Sequence, residues 1–172
     1  GGGANRSDAR DEHSPDKRAL TLLQAFASGE ASLSSVFEHQ AQDMPKWGGG
    51  RFTSFYLSGL NLQLENIALA NVAWCATSDN SYPSAMLKRC FDRHTGSLIR
   101  ALAPSIVLLS GSGTHRFARH VADLVPAAKI ICMFHYAHRE SIESEEAELG
   151  RVRQLVSDAR EVVTQQQVAA DG

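Results

Sequence analysis

Three short apolar runs, at residues 67–74, 105–109 and 129–134, constrain the fold of this chain more than any other feature. Each run is near-continuously apolar, which is the pattern of a strand buried on both faces of a parallel sheet. Segments with helical spacing of apolar residues, 84–102 and 114–124, separate the runs. Strands that alternate with helices predict an α/β domain in which helices cover a short parallel sheet.

The ends of these strands are the expected place for function, because ligands of parallel sheets bind beyond the carboxyl ends of the strands. Three segments leave those ends here, at residues 74–80, 110–114 and 135–139. We therefore expect the three segments to lie along one rim of the domain and to carry its functional groups.

The rest of the chain fits a single domain. Its 172 residues suffice to bury a sizeable core. Residues 1–14 are polar and glycine-rich, which predicts a flexible N-terminal segment, and residues 15–172 are expected to form one domain. Ser14 and Pro15 are typical of a helix start, and Gly29 of a helix end. A long, charged C-terminal helix is predicted to run to about residue 167.

The composition limits the class of protein. With 17 Lys and Arg against 19 Asp and Glu, the net charge of −2 argues against a protein coated in positive charge, although it permits a local basic groove. Three cysteines do not indicate a disulfide framework, so a cytoplasmic, bacterial-type intracellular location is expected. No membrane association is expected, because no apolar stretch approaches the roughly 20 residues that span a bilayer. The polar N-terminus does not resemble a signal peptide.

His135 is the leading candidate for catalysis. It directly follows the third apolar run and opens a loop. An imidazole at this place can donate a hydrogen bond to charge that develops on a leaving group. The alternative interpretation is a histidine whose ring is satisfied by backbone groups at the end of a strand.

Asn71 is the leading candidate for reading a base. It lies within the first apolar run, where a buried amide is costly unless its donor and acceptor are both paired. Its carbonyl and NH2 groups match the edge of a pyrimidine, accepting from N3–H and donating to O4. The alternative is an amide that bridges neighbouring backbone groups.

Other patterns are weaker indications of function. The Ser-Gly-Ser-Gly sequence at 110–113 can expose backbone N–H groups to an anion, but it matches neither a Walker loop nor a dinucleotide fingerprint. His138 and Arg139 could grip a phosphate, whereas charged side chains near a helix start, such as Arg116 and Arg119, are usually just solvated. A serine hydrolase is poorly supported, because the chain has no G-x-S-x-G nucleophile elbow.

The order of these features resembles the uracil-DNA glycosylase superfamily, and the closest likeness is to its iron–sulfur-containing bacterial and archaeal branch and related small domains. The resemblance spans about residues 50–145 and implies a three-layer α-β-α sandwich with a short central parallel sheet. It also implies a base-excision DNA-repair hydrolase, which cleaves the N-glycosidic bond of a flipped-out uracil or related damaged base in single- or double-stranded DNA. The residues that carry it are Asn71-Val-Ala-Trp-Cys75, Asn80, Pro83, Cys90, the run Pro104–Gly111, and His135.

The resemblance implies roles by position. His135 would stabilise the departing uracil anion, Asn71 would read the edge of the base, and Asn80 would belong to the substrate site. Trp47 or Phe52 is expected to stack on the base. The implied contacts to DNA phosphates come from Gly111, Ser112, His138 and Arg139.

The chain also departs from the family. The first motif, a Gly-x-x-Pro-Gly-like loop after a strand, is not visible, and residues 1–5 could be the tail of such a loop, with the first strand upstream of residue 1. The second motif reads His-Tyr-Ala-His-Arg instead of His-Pro-Ser. Cys75 and Cys90 match only the last two cluster cysteines and would otherwise be packing residues, so we expect no metal or cofactor. A 4Fe-4S cluster would require ligands outside this chain.

Two alternative functions follow from these departures. The first is a catalytically inactive module with the glycosylase fold that binds DNA. The second is an unrelated α/β domain that binds a small phosphate ligand at residues 110–114. Nothing in the sequence identifies a protein partner.

Overall fold

The computed structural model describes residues 15–74, 77, 81–138 and 141–171. Two helices come first and are followed by a π-helical segment, Thr53–Ser58, and two 3-10 turns. A second π-helical segment, Phe91–Thr95, lies between two helices of the middle region. The helices are α1 (Pro15–Ser28), α2 (Leu33–Asp43), α3 (Ser84–Cys90), α4 (Gly96–Leu102), α5 (Ser112–His115), α6 (Ala118–Leu124) and α7 (Ile142–Asp171), and the strands are β1 (Ile106–Ser110) and β2 (Lys129–Met133).

The sheet is parallel and, in the described part of the chain, has two strands. Strand β1 pairs with β2 in a register that places Ile106 opposite Lys129 and Ser110 opposite Met133. The second and third predicted strands are therefore confirmed, as is the prediction of a mixed α/β domain. The continuous helix predicted over 84–102 is present, with a π-helical turn in its middle.

The prediction of a first strand at residues 67–74 was wrong. After a 3-10 turn at Leu64–Asn66 the backbone is irregular, and Leu69 and Trp74 are 51% and 52% exposed. An apolar run becomes a strand only where another strand can pair with its backbone, and that condition cannot be seen in the run itself. Here residues 71–74 instead pack against the π-helical turn Phe91–Thr95, because Trp74 Nε1 donates to Thr95 Oγ1 at 2.9 Å.

Helices cover both faces of the sheet. On one face, Ile131 and Met133 pack with the buried rings of Phe52 and Phe55 and with Val152 of α7. On the other face, Leu109 packs with Phe91, Phe117 and Val121, and Ile130 and Cys132 border the same cluster. The alternation along β2 is what a strand covered on both sides requires, since successive side chains point to opposite faces.

Helix α7 ties the end of the chain to its first third. Arg153 donates from Nε and Nη2 to the carbonyl of Gly59, at 3.0 and 2.7 Å. Arg51 Nη2 forms an ion pair with Glu145 at 2.8 Å. Each pair joins residues 94 positions apart, so α7 closes the domain over the larger of the two core clusters. Among the described residues, no helix has the length and apolar character needed to cross a bilayer.

Candidate functional site

The carboxyl ends of β1 and β2 meet at one edge of the sheet, as the parallel register requires. The N–H of Gly111 donates to the carbonyl of Met133 at 2.8 Å, and a ring nitrogen of His115 lies 3.0 Å from the same oxygen. The segments after the two strands therefore lie side by side. We call the surface formed by residues 47–51, 110–115 and 134–138 the strand-end rim.

His135 is fixed at this rim in a defined tautomer. The N–H of Ala137 donates to Nδ1 of His135 at 3.1 Å, so Nδ1 is an acceptor and the proton of the neutral ring is on Nε2. The ring is half-buried beside Tyr136, with the ring centres 4.4 Å apart. Burial lowers the pKa of His135 below its ordinary value of 6.5, because desolvation penalises the imidazolium. A neutral imidazole results, and among the described residues no partner is recorded for its Nε2–H.

Gly111 makes the close approach of the two segments feasible. Its φ of +92° is a conformation that L side chains rarely adopt. A Cβ at this position would lie 3.3 Å from the Cβ of His135. An anion site at Ser110–Gly113 stays a prediction. The structure shows that Gly111 allows His135 to pack against β1.

The glycine loop joins the rim from the N-terminal side. Gly48 has φ +60°, and a Cβ there would meet the ring of Tyr136 at 2.7 Å. Arg51 Nε donates to the carbonyl of Tyr136 at 2.8 Å and so anchors the loop to the segment that carries His135. The structure thus brings Gly48, the residue after Trp47, and His135 against the same ring, that of Tyr136.

Of the two aromatic residues proposed to stack on a base, only Trp47 is accessible. Trp47 is 42% exposed, whereas Phe52 is fully buried in the core. The ring of Phe52 is enclosed by aromatic neighbours, with ring-centre distances of 5.6 Å to Trp47, 5.3 Å to Tyr56 and 6.0 Å to Tyr136. The face of Phe52 is already occupied by protein, so Trp47 is the better placed of the two to stack on a base.

Asn71 differs from its expected environment. It was predicted inside a buried strand, but it is exposed in the irregular segment, and its backbone carbonyl accepts from Thr95 Oγ1 at 3.0 Å. The contacts of residues 71–74 run to the π-helical turn Phe91–Thr95, whereas those of His135 run to Gly111, Tyr136 and Ala137.

The expected phosphate contacts are placed as follows. Ser112 is exposed at the start of α5, which has only four residues. His138 is exposed, and its N–H donates to the carbonyl of His135 at 2.7 Å, which closes a turn. Arg139 and Asn80 lie outside the described residues.

The described positions of the cysteines do not test the cofactor prediction. Cys90 is buried in the middle helical region, and Cys75 lies outside the described residues. Within the part of the chain that the structure describes, no three His, Cys, Asp or Glu side chains form a group that could hold a metal ion. The expectation about the cluster stays a prediction.

Sequence reasoning missed the polar network beneath the rim. Ser110 Oγ donates to the carbonyl of Phe134 at 2.9 Å, which leaves the hydroxyl of Tyr56 to donate to Ser110 Oγ. Burial raises the pKa of Tyr56 above its ordinary value. No local pattern marked Tyr56, because it sits in an apolar helical segment; only the serine at the end of a buried strand indicated that a polar partner was needed.

Comparisons with protein-family models, with curated proteins and with solved structures gave no match to this chain. The family resemblance therefore rests on the order and spacing of the motifs alone.

Proposed function

We propose that this protein is a uracil-DNA glycosylase-like hydrolase that cleaves the N-glycosidic bond of a flipped-out uracil or related base in DNA. One observation carries the proposal, namely the neutral His135 ring at the strand-end rim with Nε2–H as its available donor. A neutral imidazole is suited to stabilising an anion that forms on a leaving base, since it can donate without first losing or gaining a proton.

The reaction follows from these groups. The target base leaves the duplex because its glycosidic bond is inaccessible within the stack. As that bond breaks, its electron pair goes to the base, and Nε2–H of His135 donates to the base oxygen on which charge accumulates. Water adds to the sugar and gives up a proton, which balances the charge of the released base.

The remaining residues of the proposal bind and orient. Trp47, exposed beside the rim, would stack on the base, a contact worth about 1–3 kcal/mol per base in single-strand complexes. Ser112 and His138, both exposed, would contact phosphates. Asn71, whose side chain is exposed, would read the edge of the base and so distinguish uracil from cytosine.

The test is base release from uracil-containing single- and double-stranded DNA. His135→Ala should lower turnover about 10²–10³-fold, the usual effect of removing one such donor, with a modest loss of DNA binding. His39→Ala is the matched control, because His39 lies on α2 and pairs with Asp43 there. Turnover that is equal in His135→Ala and the unmodified protein would remove His135 from the mechanism.

A second candidate function is a DNA-binding module without catalysis. The position of Asn71 favours it, because the residue is exposed and outside the sheet. The same assay separates the two functions, since a module would bind the uracil-containing DNA and release no base.

A further inference from the structure

Basic side chains are concentrated in one stretch of the chain. Residues 84–120 contain six of the 17 Lys and Arg residues but only one of the 19 acidic residues, Asp92. All six are exposed, and the rest of the chain is correspondingly acidic. The six are Lys88, Arg89, Arg93, Arg100, Arg116 and Arg119.

The helices that carry these residues pack against each other. The ring of Phe91 stacks on that of Phe117 with centres 4.7 Å apart, and Arg116 Nη1 donates to Ser84 Oγ at 2.9 Å. The outer side of α3 and the π-helical turn after it carries a shallow depression lined mainly by charged side chains. We call the surface formed by the exposed side chains of Lys88, Arg89, Arg93 and Arg116 the basic face. Lys88 pairs with Asp92 there at 2.6 Å, with both side chains more than half exposed.

An exposed aromatic pair borders the basic face. The rings of Trp74 and His94 lie 5.3 Å apart, tilted by 34°, and His94 directly follows Arg93. Trp74 Nε1 donates to Thr95 Oγ1, which donates in turn to the carbonyl of Asn71. Because Thr95 is only 6% exposed while Trp74 is 52% exposed, the indole is anchored at its nitrogen and open to solvent.

We propose that the basic face and the Trp74–His94 pair together bind single-stranded DNA. Guanidinium groups pair with phosphate oxygens in a two-point geometry, and an unpaired base can stack on an anchored, half-exposed indole. This inference rests on the proposed function, because DNA would be the ligand at the basic face as well as at the strand-end rim. Its surface is distinct from the strand-end rim, so the chain would hold the flanking strand separately from the reacting base.

Single-strand binding is the specific expectation, because stacking on Trp74 needs a base that is not paired. Alternating phosphates and bases match a row of basic side chains beside an aromatic ring. The other available occupant is the acidic start of α7 in a second copy of this chain, which carries Glu143, Glu145 and Glu146.

Tryptophan fluorescence of the full chain gives a direct test. The chain has two tryptophans, so Trp47→Phe leaves Trp74 as the one reporter. Titration with a short oligothymidine should quench this emission, and the quenching should weaken as salt rises. For single strands the slope of log affinity against log salt falls by about 0.7 for each phosphate contact that is removed.

Variants of the two components sharpen the test. In anisotropy titrations with a labelled oligothymidine, Trp74→Ala should weaken binding by about 5- to 150-fold, the contribution of stacking one base. Arg89→Gln with Arg93→Gln should reduce the salt slope, and both positions are exposed, so the fold should be retained. Arg18→Gln with Lys129→Gln removes the same number of charges at two exposed positions outside the basic face; this control should bind like the unmodified protein.

The outcomes are separable. Unchanged Trp74 emission, or unchanged affinity in both the Trp74 and the arginine variants, would overturn the inference. A change of emission with protein concentration alone, without DNA, would assign the face to a second copy and would also overturn it. Oligothymidine binding that persists in a chain releasing no base would support the inference while the proposed function fails; base release without binding at Trp74 would do the reverse.

Discussion

The carboxylate of Glu148 and the guanidinium of Arg151 form a two-point ion pair that covers the outer edge of β2. Arg151 Nε and Nη2 donate to the two carboxylate oxygens at 2.8 and 2.9 Å. Glu148 also accepts from the N–H of Phe134 at 3.2 Å, and Arg151 Nη2 donates to the carbonyl of Cys132 at 2.7 Å. The carbonyl of Cys132 and the N–H of Phe134, at the end of β2, thereby find partners on α7, where uncovered backbone groups would be open to other chains.

Removing Glu148 should destabilise the domain measurably. Its side chain is 11% exposed, and Glu148→Ala would leave the part-buried Phe134 N–H without its acceptor, a loss of about 1 kcal/mol. Urea denaturation followed by circular dichroism measures the change. Glu146→Ala, exposed on the same helix, is the control and should change the free energy of unfolding far less.

The same pair should make stability depend on pH in the acid range. The Arg151 guanidinium holds the pKa of Glu148 below its ordinary value of 4.5. The unfolded chain therefore binds the proton more readily, so the stabilisation is full above pH 4.5 and is lost as the pH falls through the lower folded value. Glu148→Gln should flatten this part of the stability curve. A curve of unchanged steepness would contradict the assignment.

Gly111 and Gly113 should respond in opposite ways to the same substitution. Gly111→Ala forces an L residue to φ +92° and brings a Cβ against His135, which should cost about 1–3 kcal/mol. Gly113 has open space around its Cβ position and lies within α5, so Gly113→Ala should be neutral or stabilising by up to about 1 kcal/mol. Thermal unfolding of the two variants side by side checks the difference. Equal destabilisation would show that the backbone at Gly111 is not special.

Substitutions of Phe52 and Trp47 should affect different properties: the first should mainly lower stability, and the second should mainly weaken DNA binding. Phe52→Ala empties a fully buried position and should cost about 3–5 kcal/mol. Trp47→Ala removes a ring that is 42% exposed and should cost about 1 kcal/mol or less, while weakening binding of uracil-containing DNA. Chemical denaturation and DNA titration of both variants measure these effects. A large loss of stability in Trp47→Ala would assign that ring to the core.

The rate of base release should follow the titration of His135. Protonation of Nδ1 would break the hydrogen bond from the N–H of Ala137 that orients the ring, and burial keeps the ring neutral below pH 6.5. Turnover should thus be level above the lowered pKa and fall as the pH drops through it. His135→Ala should lack this acid limb. An acid limb that survives in the variant would belong to a different group.

The two strands could be predicted because each is a short apolar run that begins shortly after a proline, Pro104 or Pro126. The run at 67–74 is as apolar, yet it is irregular, because what decides between strand and coil is a partner strand that local sequence does not reveal. The helical spacing of apolar residues over 84–102 also did not predict the π-helical turn Phe91–Thr95. It adds one residue to a turn and places Thr95 where it can bond Asn71 and Trp74.

At the candidate site, the sequence predicted where the strand-end rim lies but not which residues hold it in place. His135 and Gly111 were predictable, since strand ends of a parallel sheet converge. Arg51 and Tyr56 were not, because their contacts to Tyr136 and Ser110 span 85 and 54 positions and depend on how α7 and the glycine loop fold back. The choice between Trp47 and Phe52, which the sequence left open, likewise depends on packing, since Phe52 is buried and Trp47 is exposed.

The return of α7 to the first third of the chain has a consequence for synthesis. Phe52, Phe55 and Leu60 emerge from the ribosome long before Val152 and Val156, which complete their cluster. Contacts between residues some 94 positions apart form late, because the entropy of the intervening chain must be lost before the contacts can stabilise the fold. A nascent chain thus carries exposed aromatic rings until α7 is made. Chaperone dependence during translation should accordingly end only when α7 has been released.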